Sequence, residues 1–193
     1  MAKSPIPAIG GKLARAYIVV EDDPDERLEF QLWPQDLSNQ KVAEYNDFPI
    51  VARSEPVRVY SHSGPSIFNF TLMYVSSISP ADDPALTDEQ KKILPAQAAN
   101  FLHALTYPRY KNGIAEAPPV VILIVGDYIS ARCITRSVNI GHGELCPWDV
   151  DTMLPMMMLG QIVLEEVNLV PPSYETIRSR NFGLGAHGQS GNV

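Results

Sequence analysis

Residues 67 to 75, Ile-Phe-Asn-Phe-Thr-Leu-Met-Tyr-Val, constrain this chain more than any other stretch. Phe68, Phe70, Leu72 and Tyr74 fall on one side of an extended backbone, and Asn69, Thr71 and Met73 on the other. That period of two is the pattern of a strand with one face in a core. Ser61 to Ser66 precedes it as turn chemistry, with Gly64 free to take positive φ and Pro65 fixing its own. Val57 to Tyr60 reads as a short strand before the turn. The whole stretch is therefore expected to be a hairpin.

A second run, Ala117-Pro-Pro-Val-Val-Ile-Leu-Ile-Val-Gly-Asp127, is set off by prolines at one end and Gly126-Asp127 at the other. Its unbroken apolar centre predicts a strand buried on both faces. Tyr128 to Ile140 and Met156 to Val167 alternate as further strands. Leu13 to Val20 and Leu28 to Trp33 form another pair, joined through an acidic turn at Glu21 to Glu26; Pro34 to Ser38 ends it. Val42 to Val51 is extended and mixed in character, and Ser76 to Pro84 is a polar loop. One helix is expected, at about 86–106. Thr87 is its N-cap, with Gln90 three residues on, and Ile93, Leu94, Phe101, Leu102 and Leu105 form its buried stripe. Pro95 should kink or split it. The 17 prolines suit short strands with tight connections. The fold class is mainly β (α+β), an antiparallel barrel or sandwich flanked by one helix. The expected domain spans 13–170, between an N-terminal arm at 1–12 and a C-terminal tail at 171–193.

Charge and motifs narrow the chemistry. A net charge of −7 argues against a general nucleic-acid binder, which needs a clustered basic surface to displace phosphate counterions. The longest apolar run, Val120 to Val125, is far short of the roughly 20 residues of a membrane helix. The N-terminus lacks the apolar core of a signal peptide. Cys133 and Cys146 are expected as free thiols. The acidic run at 21–26 lacks the ligand spacing of a calcium loop and reads as a solvated turn. Gly183-Leu-Gly-Ala-His-Gly188 spells a dinucleotide fingerprint, but no strand precedes it and no helix follows. His62, His103, His142 and His187 are scattered, and His103 lies off the helix stripe. Glu165 and Glu166 point to opposite faces of a strand. Met153, Met156, Met157 and Met158 read as packing. Asp149 and Asp151 alone approach a carboxylate pair, and nothing in the sequence demands that either be desolvated. No catalytic residue, cofactor or metal is expected, and no enzyme.

Two blocks of wording carry a resemblance. The first is Arg53-Ser54-Glu55-Pro56, Tyr60, then Gly64-Pro65 and the alternating strand to Val75. The second runs from Pro118 through Gly126 and the Ala131 to Val138 strand to Trp148, Asp149, Asp151, Pro155 and Ile162 to Val167. Together they resemble the tube-like baseplate proteins of contractile phage tails and related injection systems, either tube initiators or LysM-type adaptors, here without the LysM module. The resemblance implies a tail-tube-like barrel or sandwich assembled as a ring between the baseplate hub and the tail tube. Its implied partners are the tail tube protein, the hub, neighbouring baseplate proteins and further copies of itself, with DNA only as passing cargo and no membrane. It implies synthesis in a host cytoplasm and residence in the virion. The motif residues Arg53, Ser54, Glu55, Pro56, Tyr60, Gly64, Pro65, Gly126, Trp148, Asp149, Asp151 and Pro155 would be structural or interfacial. The rival readings are a small soluble ligand- or protein-binding β module and a hydrolase using Asp149 and Asp151.

Overall fold

The computed structural model describes residues 16–76, 88–111, 113–142, 146–168 and 172–178. In chain order the elements are β1 (Ala16–Val20), β2 (Asp23–Glu29), β3 (Gln35–Gln40), β4 (Ala43–Phe48), β5 (Val57–Ser63) and β6 (Ile67–Val75). Then come α1 (Asp88–Ala104), β7 (Arg109–Lys111), β8 (Ile114–Glu116), β9 (Val121–Val125), β10 (Ile129–Gly141), β11 (Met157–Glu166) and α2 (Tyr174–Arg178). Seven strands form one antiparallel sheet in the order β2-β1-β9-β10-β11-β6-β3. β4–β5 and β7–β8 are separate two-stranded ribbons. The fold is mainly β, as the alternation predicts.

β10 is the pivot of the sheet. Its first residues, Ile129 to Cys133, pair with β9, and its remainder, Cys133 to Gly141, pairs with β11. A bulge between Thr135 and Ser137 lets one strand turn a corner and serve both halves. The halves β2-β1-β9 and β11-β6-β3 thereby face one another as a sandwich. Phe30 from one meets Phe70 from the other, with ring centroids 5.8 Å apart. The Tyr74 hydroxyl donates to the Glu29 carbonyl at 2.6 Å. Gln31 completes the seam: its Nε2 donates to the Val75 carbonyl at 2.9 Å, and its Oε1 accepts the Val75 N–H at 2.6 Å. A side-chain amide thus does what a paired strand would do, which is why a buried glutamine is tolerated. Among the described residues the backbone ladder itself does not close into a barrel.

α1 covers the inner face of the β10-β11-β6 half. It runs unbroken through Pro95, and its buried positions are Pro95, Ala98, Ala99 and Leu102, continued by Leu105 just past its end. Ile93, expected in that stripe, is 37% exposed, and Phe101 is only half buried. The small alanines instead let the helix approach the sheet closely. At Gly160 the helix side chain sits tight on the strand, since a Cβ there would lie 3.0 Å from Leu102 Cδ1. His103 is exposed, as expected.

Several expectations are corrected. β9 is not buried on both faces: Val121, Leu123 and Val125 are buried, whereas Ile122 and Ile124 are half exposed. Its neighbours β1 and β10 are antiparallel, and its alternate residues Val121, Leu123 and Val125 join the core cluster. The acidic turn is confined to residues 21–22, and β2 begins at Asp23, so the acidic run becomes a sheet edge. Charge and Pro24 both suit an edge. Pro34 to Ser38, expected to end a strand, fall largely within one: β3, Gln35–Gln40, pairs with β6. β5 pairs with β4 and not with β6, so the expected 57–75 hairpin does not exist. β7–β8 was not anticipated. Residues 1–12, the Thr87 cap and the Gly183 to Gly188 motif lie outside the described residues, and within the expected tail residues 174–178 form α2.

Candidate assembly surfaces

Three places hold the motif residues, and the first two lie at opposite ends of one strand. The first is the β4–β5 ribbon, inserted between the end of β3 at Gln40 and the start of β6 at Ile67. At its root the Gly64 N–H donates to the Val42 carbonyl at 2.8 Å. Beyond that root, every residue of β4 and all of β5 after Val57 are exposed. Register assigns the faces: Tyr45 opposite Tyr60 and Asp47 opposite Arg58 on one, Asn46 opposite Val59 and Phe48 opposite Val57 on the other. The first face is tied by an Arg58–Asp47 ion pair at 3.1 Å and an edge-on Tyr45–Tyr60 contact at 5.8 Å. The Tyr60 and Ser63 hydroxyls hydrogen-bond at 2.8 Å. The second face is an apolar stripe that is largely open among the described residues: Phe48 is 52% exposed and Val59 about half exposed, while Val57 is half buried.

Arg53, Ser54, Glu55 and Pro56 form the ribbon's tip with Ile50, Val51 and Ala52. Val51 is 96% exposed. The Arg53 N–H donates to the Ile50 carbonyl at 3.2 Å, and Ala52 takes φ 66°. A non-glycine residue in that region is strained and persists where surrounding structure or a bound partner compensates. A two-stranded ribbon alone is marginal in water. This one carries an apolar stripe as well.

The second place is the loop between β10 and β11. Trp148 and Pro155 form an isolated bridge. The Asp149 N–H donates to the Leu154 carbonyl at 2.9 Å, and the Met153 N–H donates to the Asp149 carbonyl at 2.8 Å. The Asp149 carboxylate accepts the Thr152 hydroxyl at 3.0 Å and the Asp151 N–H at 3.4 Å. Asp149 therefore organises a turn, a role that occupies both its oxygens. Held this way, the loop presents Trp148, Val150 and Met153 to solvent, Val150 at 80% exposure. Because β6 is antiparallel to β11, with Met157 opposite Val75 and Glu165 opposite Ile67, this loop and the ribbon lie at opposite ends of β6.

Gly126, the third place, sits in the β9–β10 turn with φ 57°, where glycine is the unstrained choice.

The remaining candidate chemistry is dispersed. Burial, with Glu166 nearby, pushes the Cys133 thiol up to about 12, so it stays protonated at neutral pH. Both cysteines are free thiols, as expected. A cleft between the end of α1 and β7 holds His103, Tyr107 and the Arg109–Glu26 ion pair, closed at 2.7 Å. Among the described residues no three His, Cys, Asp or Glu side chains are grouped to hold a metal ion, and no helix is long and apolar enough to cross a membrane. Sequence reasoning missed the apolar stripe of Phe48, Val57 and Val59. Its signal is the alternation of residues 57–60, whose partner strand is β4 and not β6.

No family model matches this chain, and no curated protein does. Among solved structures, the chain is similar to one from the anti-feeding prophage baseplate, determined by cryo-EM with 6-fold symmetrisation. The overlap covers 87% of this chain and 95% of that one, at 9% identity and a TM-score of 0.40.

Proposed function

We propose that this protein is a structural subunit of a contractile phage tail or related injection system, forming a baseplate ring that connects the hub to the tail tube. In that role it is the tube initiator or an adaptor beside it, and it is not an enzyme. The wording of the two motif blocks motivates the reading. The observation that carries it is the β4–β5 ribbon, an apolar extension held outside the core by a chain that has a complete core without it. Such an element gains stability when another chain covers it, and a contact between unlike patches of identical copies closes into a ring or runs on as a filament.

The test is the assembly state of purified protein, by light scattering and negative-stain electron microscopy, together with immunogold labelling of particles. Rings in solution and label at the tail tip are expected. A sharp monomer at high concentration with no label on any particle overturns the reading and leaves a soluble binding module. Label along the whole tail would make the chain the main tube subunit.

A further inference from the structure

We infer that the Ser137–Gly141 edge of β10 receives one strand of the β4–β5 ribbon from a second copy of this chain, so that the sheet continues from subunit to subunit. This rests on the ring reading and specifies its interface.

The edge exists because β9 stops early. The β9–β10 ladder ends at Val121 opposite Cys133. The residues before it include Pro118 and Pro119, which have no N–H to donate and cannot extend the pairing. β10 nevertheless continues to Gly141, paired with β11 on its other side only. Among the described residues no strand lies along the vacated side.

The other outer edges of the sheet carry protection that this one lacks. β2 has Asp23, Pro24, Asp25 and Glu26. β3 is short and is broken by an irregularity between Gln35 and Ser38, with Asp36 at φ 54°. Bulges, charge and proline are the usual devices against strand addition. Ser137-Val-Asn-Ile-Gly141 lies past the β10 bulge, in regular register with β11, and contains neither charge nor proline.

The ribbon fits as occupant on three counts. Its strands are six and seven residues long, enough to span the edge, and among the described residues no strand pairs with their outer sides. Its two faces match the two faces of β10. Val138 and Ile140 are half buried against the core, where Phe48, Val57 and Val59 would extend the apolar layer. Ser137 and Asn139 face outward, where the Tyr45–Tyr60 and Asp47–Arg58 face would continue a polar surface. Position decides between self and neighbour. Within the β10-β11-β6-β3 half, the ribbon springs from the β6–β3 side and the open edge lies on the far side of β11. Addition is then head-to-tail, the arrangement that propagates.

The experiment places the photo-crosslinking residue p-benzoylphenylalanine at Ser137 of the full chain, with Gln161 as control. Gln161 is exposed on the same face but sits on β11, which is flanked by strands on both sides. After irradiation of assembled protein, mass spectrometry of the crosslinked dimer should join Ser137 to residues 43–63 of another copy, and Gln161 should yield far less dimer. Crosslinks from Ser137 to any other segment, or none while rings still form, overturn this interface and leave the ring reading standing. Failure to assemble at all, in the unsubstituted chain as well, removes both. A Val59→Asp variant adds an independent measure. It should stay folded and lose the Ser137 crosslink, and retention of that crosslink refutes the ribbon as occupant.

Discussion

β5 and β6 are separated by three residues and obey the same alternation, yet they have opposite fates. The even-numbered residues Phe68, Phe70, Leu72 and Tyr74 of β6 are almost fully buried between the sandwich layers. Val59 and Tyr60 of β5 are about half exposed on a ribbon separate from the seven-stranded sheet. The difference lies in what each strand pairs with. β6 is hydrogen-bonded on both sides, by β11 and β3, and its inner face meets α1 and Phe30. β5 has only β4. Period-two alternation reports that a strand has an apolar side; it does not report whether its own chain covers that side.

The largest expected effect separates the two strands by truncating one ring on each. Phe70→Ala removes a fully buried side chain and should cost about 3–5 kcal/mol in denaturant unfolding. Phe48→Ser removes an exposed one and should shift the isolated chain's stability by no more than about 0.5 kcal/mol. Assembly should respond in reverse: Phe48→Ser abolishes rings at concentrations where the parent chain forms them. Equal stability losses at both positions would mean that the ribbon packs on its own body in solution.

Gln31 tests whether the core depends on a seam that the ribbon does not share. Gln31→Leu keeps the bulk and leaves the Val75 N–H and carbonyl without their partner, at a cost of about 1–3 kcal/mol. Hydrogen exchange at the Val75 amide should accelerate while the ribbon's exchange is unchanged. An unaltered Val75 amide would show that the seam is held by Tyr74 and the Phe30–Phe70 contact alone.

Those two regions also mark how much could be read before any coordinates. The strands β6, β9, β10 and β11 announce themselves by runs of alternating or continuous apolar residues, and the single large helix by spacing. β3 does not, because Gln-Asp-Leu-Ser-Asn-Gln has only Leu37 to bury, and its strand form comes from the ladder with β6. β7 and β8 are three residues each, too short for any period to register. The α1 stripe was mis-set by Ile93 because alanine carries little weight in a hydrophobic pattern, while close approach to Gly160 favours it. For the candidate surfaces, Arg53 to Pro56 and Trp148 to Pro155 were singled out as words. Their separation onto opposite ends of β6 depends on strand register, which is non-local. The open edge of β10 likewise follows from where Pro118 and Pro119 stop a neighbouring strand.

Alkaline titration sharpens the contrast from the core side. Burial raises both the Cys133 thiol, to about 12, and the Tyr74 phenol, the latter well above its ordinary value, with Glu29 adding to the effect. Both groups are neutral when protonated. Folded protein keeps its protons where the unfolded chain loses them, from about 9 for cysteine and about 10 for tyrosine. Stability is therefore fully present below pH 9 and falls as pH rises, by about 1.4 kcal/mol per pH unit for each group in its window. Cys133→Ala should delay the onset by about one pH unit, and Tyr74→Phe should flatten the fall above pH 10. Native protein treated with a thiol reagent at neutral pH should label at Cys146 only, since Cys133 is buried. Rapid labelling of Cys133 would mean that the sandwich opens near β10.

The smallest effect belongs to the sheet's acidic border, where one ion pair compares directly with the ribbon's. Arg132 Nε donates to Glu21 Oε1 at 2.6 Å, with each side chain one-third exposed, whereas the ribbon's Arg58 and Asp47 are more open to solvent. The hydrogen bond from Arg132, reinforced by its charge, holds the Glu21 carboxyl below the usual carboxylate range. A depressed carboxylate stabilises the fold at pH values above its unfolded pKa, near 4.5, and that stabilisation is lost as pH falls through the lowered folded value. Thermal midpoints followed downward from pH 6 should therefore fall less steeply in Arg132→Gln than in the parent chain. At pH 6 itself, Arg58→Gln should lower the thermal midpoint less than Arg132→Gln does. Added salt should shrink both losses, and the Arg58 loss should vanish first, because the more exposed pair is the more screened. A larger loss from Arg58 than from Arg132 would mean that the ribbon's charged face is covered in the protein under test, which is the condition expected of it only after assembly.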